Sequence, residues 1–253
     1  MSHIHIPDGV LPLWLVLLGW IITLILLGLI SRHLAEDSFP SRLPLLGVVS
    51  ALMLVGMTVE FVPIAYHINL TVVAGIILGP VLGFVAAFVV DLILAMFGHG
   101  GITVVGLNTL VIGAEIAIAY CLYHAADRII GHQIRRVGVR VGIVTVLTMF
   151  LSTTLMIAVI GLANIDPAWQ APIGGSVGPE TLSFSNPFGG GTFKVELFPE
   201  PEQPAGEKRM NLLAFAQLVY LLGLPGWILE GFITGLIVSY VRRVRPDLIK
   251  VGA

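Results

Sequence analysis

The sequence predicts an all-α polytopic membrane protein of about seven transmembrane helices, with the amino terminus outside and the carboxyl terminus inside. Three observations carry that reading. Hydrophobic residues fill 57% of the 253 positions and charged residues only 11%, against roughly 25% charged in an average soluble domain. Several apolar runs reach the roughly 20 residues that one bilayer crossing needs. The 13 Lys and Arg cluster at the ends of those runs, where positive charge marks the cytoplasmic side.

In chain order the runs are Val10 to Ile30, Leu43 to Tyr66, Leu70 to Phe97, Ile102 to Ala125, Val141 to Leu162 and Met210 to Val241. Met1 to Gly9 holds no Lys or Arg, so the first helix inserts with its amino end outside. The missing basic segment also argues against a cleaved signal peptide. Arg32 and Arg42 then lie inside, as do Arg128, Arg135, Arg136 and Arg140, and finally Arg242, Arg243, Arg245 and Lys250. Between the first two of these groups the chain must cross an even number of times. Leu70 to Phe97 is long for one crossing and short for two, and Gly79-Pro80 interrupts it. Proline lacks the amide donor and clashes with the preceding turn, which predicts a hairpin there, with a short first arm and a longer second.

The whole chain, 1–253, is expected to form one transmembrane domain, with an extracytoplasmic loop at 163–209 inserted before the last helix. That loop holds Asp166, Glu180, Glu196, Glu200, Glu202 and Glu207 against Lys194, Lys208 and Arg209. Its Gly189-Gly190-Gly191 reads as a loop or hairpin tip and Thr192 to Leu197 as a short strand. No internal duplication stands out, which counts against inverted-repeat carriers. Gly75, Gly79 and Gly83, and likewise Gly231 and Gly235, stand at four-residue spacing. Such stripes let helices approach closely, either inside this chain or against another membrane subunit.

Several functions are excluded or unsupported. A net charge of −2 with few basic residues offers no track for a phosphate backbone, so nucleic acid is not an expected partner. The lone Cys121 rules out a disulfide framework or a thiolate cluster. Lysine occurs only at 194, 208 and 250, so no Walker A nucleotide loop can be assembled. Neither H-E-x-x-H nor G-x-S-x-G appears, and nothing supports an enzyme or a bound cofactor.

The chemistry lies in the histidines. Of seven, His3, His5, His67 and His99 are expected at the outer face, in three separate segments. Neutral imidazole is a common ligand for Ni, Co, Cu and Zn. A histidine this close to a free amino terminus also lets the amine, an intervening backbone amide and the ring bind one ion together, and tetragonal nitrogen donors favour Ni(II) or Cu(II). If Met1 is removed, Ser2 supplies the amine; otherwise His3 is the third residue.

Glu60, Asp91, Glu115 and Glu230 are ionisable residues inside apolar runs, where each is costly and marks a candidate site. Glu60 precedes His67 by two helical turns, about 10 Å, which puts both on one face if the helix continues past Pro63. Asn108 and Glu115 have the same spacing. For these three the choice is between a hydrogen-bonded network joining helices and a supporting or pathway role near a metal. Asp91 and Glu230 could serve packing, partner contact or a proton path.

The opening His5-Ile6-Pro7-Asp8-Gly9-Val10-Leu11 resembles the M-H-I-P-D-G-F-L start of the CbiM/NikM-type substrate-binding components of energy-coupling factor transporters for cobalt and nickel. The resemblance continues through His67 with Leu70 to Pro80, Gly98-His99-Gly100-Gly101-Ile102-Thr103 with Gly106-Leu107-Asn108, Glu230-Gly231-Phe232-Ile233-Thr234, and Val244-Arg245-Pro246-Asp247-Leu248. It implies a multi-pass protein of the prokaryotic cell membrane that captures Co2+ or Ni2+ at the outer face. The implied partners are a transmembrane coupling subunit and two cytoplasmic ATPases, and a small accessory membrane subunit unless loop 163–209 replaces it. The implied ligands are the terminal amine, His3 or His5, and His67. Two departures stand out: the histidine beside Ile-Pro-Asp-Gly is His5, pushed inward by Met1-Ser2-His3-Ile4, and His99 takes a position where relatives often carry Asp.

Two other readings compete. A stand-alone secondary carrier or channel would move a divalent ion past Glu60, Asp91, Glu115 and Glu230 without ATPase partners. A vitamin-binding component of the same transporter type would leave the histidines incidental.

Overall fold

A computed structural model describes residues 11–36, 42–59, 67–98, 100–130, 137–164, 181–185, 192–196 and 212–249. The helices are α1 (Leu13–Glu36), α2 (Leu43–Thr58), α3 (Thr71–Met96), α4 (Val105–Ile130), α5 (Val137–Asn164) and α6 (Leu212–Val244), followed by a 3-10 turn at Pro246–Leu248. Five of them are long and apolar enough to cross a membrane, and α2 is a shorter apolar helix. The large side chains that remain exposed, such as Leu17, Ile21, Leu52, Ile143, Leu221 and Phe232, suit a surface that meets hydrocarbon rather than water.

The hairpin expected at Gly79-Pro80 is present. Gly79 has φ 75° and ψ 178° inside α3, a conformation essentially open only to glycine, and Pro80 then starts the second arm with the fixed φ that suits a first helical turn. Neighbours on α4 show that the chain reverses. Thr71 bonds Glu115, Gly75 lies against Ile116, Ala119 and Tyr120, and Gly79 faces Tyr120. Gly83 returns to Ile116, and Asp91 reaches back to Thr109. Residues 71–78 therefore run alongside α4 and residues 80–96 run against it, making seven helical segments among the described residues.

The second run departs from expectation. α2 ends at Thr58, Val59 is already extended (φ −89°, ψ 110°), and residues 67–70 are not helical. The break falls ahead of Pro63, whose ring disfavours helix in the residue before it. An unbroken helix carrying Glu60 beneath His67 is therefore not formed; Glu60 itself lies outside the described residues.

Both glycine stripes are used inside the chain. A Cβ on Gly231 would stand 2.8 Å from the carbonyl oxygen of Gly142, and one on Gly235 2.5 Å from that of Gly138. α5 and α6 thus touch backbone to backbone, which in lipid substitutes close van der Waals packing for hydrophobic drive. The α3 stripe lies against α4, Gly75 meeting the Ile116 backbone and Gly83 the Ile116 side chain. α1 is fastened to α4: the Trp20 Nε1–H donates to the Thr103 carbonyl at 2.6 Å and the Thr23 hydroxyl to that of Gly106 at 2.7 Å.

Between α5 and α6 a short antiparallel hairpin pairs β1 (Thr181–Ser185) with β2 (Thr192–Glu196), Thr181 opposite Glu196 and Ser185 opposite Thr192. The strand expected from Thr192 is formed; the triple-glycine tip lies outside the described residues. Asp127 of α4 and Arg140 of α5 form a buried ion pair at 2.6 Å, with the guanidinium 5.4 Å from the Tyr123 ring centroid.

Candidate metal centre

His67 opens a four-residue segment that enters the bundle between α2 and α3. The Ile68 amide donates to the Gly56 carbonyl of α2 at 3.1 Å. A side chain at Gly56 would meet the Ile68 carbonyl oxygen at 2.5 Å, so glycine is what lets the segment lie so close. Leu70, the residue before α3, adopts the left-handed conformation (φ 55°, ψ 13°).

Two buried carboxylates hold this segment. Glu115 Oε1 accepts from Asn69 Nδ2 at 2.7 Å and from the Thr71 hydroxyl. Glu115 Oε2 accepts from the Ser152 hydroxyl of α5 at 2.5 Å. Glu230 Oε1 of α6 accepts from the Asn69 amide at 3.2 Å. Asn69, Thr71, Glu115, Ser152 and Glu230 are all at least 98% buried. A carboxylate offers only acceptor sites, and Asn69, Thr71 and Ser152 each bring a donor to it, so the set is chemically consistent.

Glu115 stands about 15 Å along α4 from Val105 at 1.5 Å per residue, and Asn69 and Thr71 meet it there. His67 is two residues earlier, at most about 7 Å of extended chain away, and is half-buried.

Of the other candidate residues, Ser2, His3, His5, Glu60 and His99 lie outside the described residues. Asn108 is buried on α4. Asp91 is buried on the second arm of α3, its Oδ2 accepting from the Thr109 hydroxyl at 3.3 Å. The structure brings Glu115 and Glu230 together at Asn69, two residues from His67, and places Asp91, on the second arm of α3, against Thr109. Among the described residues no three His, Cys, Asp or Glu side chains converge as a metal site. Sequence reasoning missed Asn69, Thr71 and Ser152; their signal was polarity inside apolar surroundings. At the far end of α6, outside the membrane, Arg245 donates to both carboxylate oxygens of Asp247 at 3.0 and 2.8 Å. That hydrogen-bonded pairing raises the Arg245 pKa above its ordinary value.

A helical bundle with five helices long and apolar enough to span a bilayer and an exposed apolar surface is that of a multi-pass membrane protein. The chain belongs to the CbiM family: the family model for the cobalt uptake substrate-specific transmembrane region matches residues 5–248. Over 125 residues, 47% of this chain, it is 37% identical to a Haloquadratum walsbyi protein named for metal transport. The matched stretch spans 57% of that protein's length. It is 27% identical over 255 aligned positions, 98% of this chain and 69% of the other, to an Archaeoglobus fulgidus protein named as the fused nickel transport protein NikMN. Two crystal structures described as transition metal transporters, one truncated, share the fold with TM-scores of 0.68 at 18% identity. They cover 95% of this chain, and 99% and 93% of their own. Family and structural neighbours alike are metal transporters and not enzymes.

Proposed function

We propose that this protein is the substrate-binding component for uptake of Ni2+ or Co2+. It captures one ion with His67, the terminal amine, a backbone amide and the ring of His3 or His5, with His99 as a further candidate donor. The observation that carries the reading is the seating of His67: a strained segment driven into the bundle and tied by two buried carboxylates has no evident purpose in a bundle that needed only to pack. Leu11, which follows the histidine-bearing opening, is buried in a cluster with Val111 and Met156, each one helical turn from Glu115 or Ser152. The residues from His3 to Leu11 can span roughly 25 Å when extended, enough for the opening histidines to reach His67. Imidazole and amide nitrogens would favour Ni2+ and Co2+ over Mg2+ and Ca2+, which prefer oxygen.

Energy would come from partners, a transmembrane coupling subunit with two cytoplasmic ATPases, as the resemblance implies. The stand-alone carrier reading is weakened because Glu115 and Glu230 are engaged in holding residues 69–71 and Asp91 stands apart from them.

The test is calorimetric titration of purified protein, free of any tag at its start, with Ni2+ and Co2+, together with mass spectrometry of the amino terminus. Submicromolar binding of one ion per chain is expected. No binding by folded protein would overturn the metal reading.

A further inference from the structure

Residues 68–71 are held against their own preference. Leu70 is in the left-handed region, which crowds the Cβ of an L residue against the backbone and persists where the surroundings over-determine it. Four contacts do so: Ile68 to Gly56 of α2, the Asn69 amide to Glu230 of α6, and the Asn69 and Thr71 side chains to Glu115 of α4. Glu115 is the centre of this clamp. It takes one donor from the segment, one from the first residue of α3 and one from α5, so it fixes residues 69–71 against two other helices at once.

We infer that Glu115 is a positioning residue for metal capture: through Asn69 and Thr71 it sets the backbone on which His67 stands and hence the direction of its imidazole. Glu115 does not touch the ion. The inference rests on the reading of His67 as a ligand. A neutral amide at 115 cannot replace the carboxylate. Gln offers a single oxygen acceptor and adds two donors, so one of the donors from Asn69, Thr71 and Ser152 would face another donor or lose its partner.

Asp91 supplies the control, since it too is a buried carboxylate with a threonine donor on α4, carried by the second arm of α3. The experiment compares wild type, Glu115→Gln, Asp91→Asn and His67→Ala in three measurements: Ni2+ affinity, visible ligand-field absorption of bound Co2+, and thermal unfolding without metal. Glu115→Gln should weaken Ni2+ at least tenfold and shift the Co2+ bands at saturation. Asp91→Asn should leave affinity and bands unchanged even where it lowers the unfolding midpoint as much. Wild-type affinity and bands in Glu115→Gln, or equal losses in Asp91→Asn, would overturn the inference. If His67→Ala binds normally, the underlying ligand reading fails; if it loses binding while Glu115→Gln keeps it, only the positioning role fails. Should Glu115→Gln not fold, Ser152→Ala and Thr71→Val each remove one donor and leave the carboxylate. Each should then weaken Ni2+ severalfold, and unchanged affinity in both would reject the role.

Discussion

His67 is half-buried and lies outside the packed clusters, so its removal should cost binding and not the fold. We expect His67→Ala to lose submicromolar Ni2+ affinity while its unfolding midpoint stays within a few degrees of wild type; normal affinity would remove His67 from the site. Gly79 is the opposite kind of residue, structural and distant from the ion. With φ 75° and ψ 178°, Gly79→Ala should destabilise by about 1–3 kcal/mol, read as a lower midpoint in detergent, and an unchanged midpoint would mean the turn can relax. Gly56 joins the two roles. A methyl group there meets the Ile68 carbonyl, so Gly56→Ala should weaken metal binding by displacing the segment. His67 as a candidate was legible from residue type, and so was the break at Gly79-Pro80. The hold of Glu115 and Glu230 on Asn69 and Thr71 was not, because position along a run says nothing about which distant side chains pack against it.

At the scale of elements, contacts that lipid cannot provide join the helices. α5 and α6 meet at Gly138, Gly142, Gly231 and Gly235, and replacing Gly231 or Gly142 with leucine should part them and lower expression and midpoint together. α4 and α5 are joined by the Asp127–Arg140 pair. Breaking a buried pair by removing one partner costs roughly 3–5 kcal/mol, whereas exchanging both for apolar residues is often neutral. Arg140→Met alone should therefore be far more damaging than Asp127→Leu with Arg140→Met, measured by thermal unfolding, and equal effects would argue against a coupled pair. The spacing of these glycines was visible in the sequence, and it left open whether they served this chain or another subunit. The answer depended on which helix lay opposite, and that is a property of the bundle.

For the whole molecule, the terminal amine is predicted to join a site carried by α2, α3, α4 and α6. A tag fused before Met1 converts that amine into an amide, so binding should fall steeply, and a tagged protein with normal affinity would leave only imidazole ligands. Uptake in cells should require the coupling subunit and the ATPases; ion uptake by this chain alone would restore the stand-alone carrier.

The apolar runs, the arginine clusters and Gly79-Pro80 determined by themselves that the chain is a helical membrane bundle with a hairpin in its third run. These signals are local, since a bilayer crossing and a proline break are each set by a short stretch of residues. Only the tertiary structure decided that α2 stops at Thr58 and that Glu115 and Glu230 grip Asn69 and Thr71. That grip depends on donors and acceptors separated by 44 to 161 residues. A buried carboxylate takes whichever donors the packing of other helices presents to it, and no local pattern specifies them.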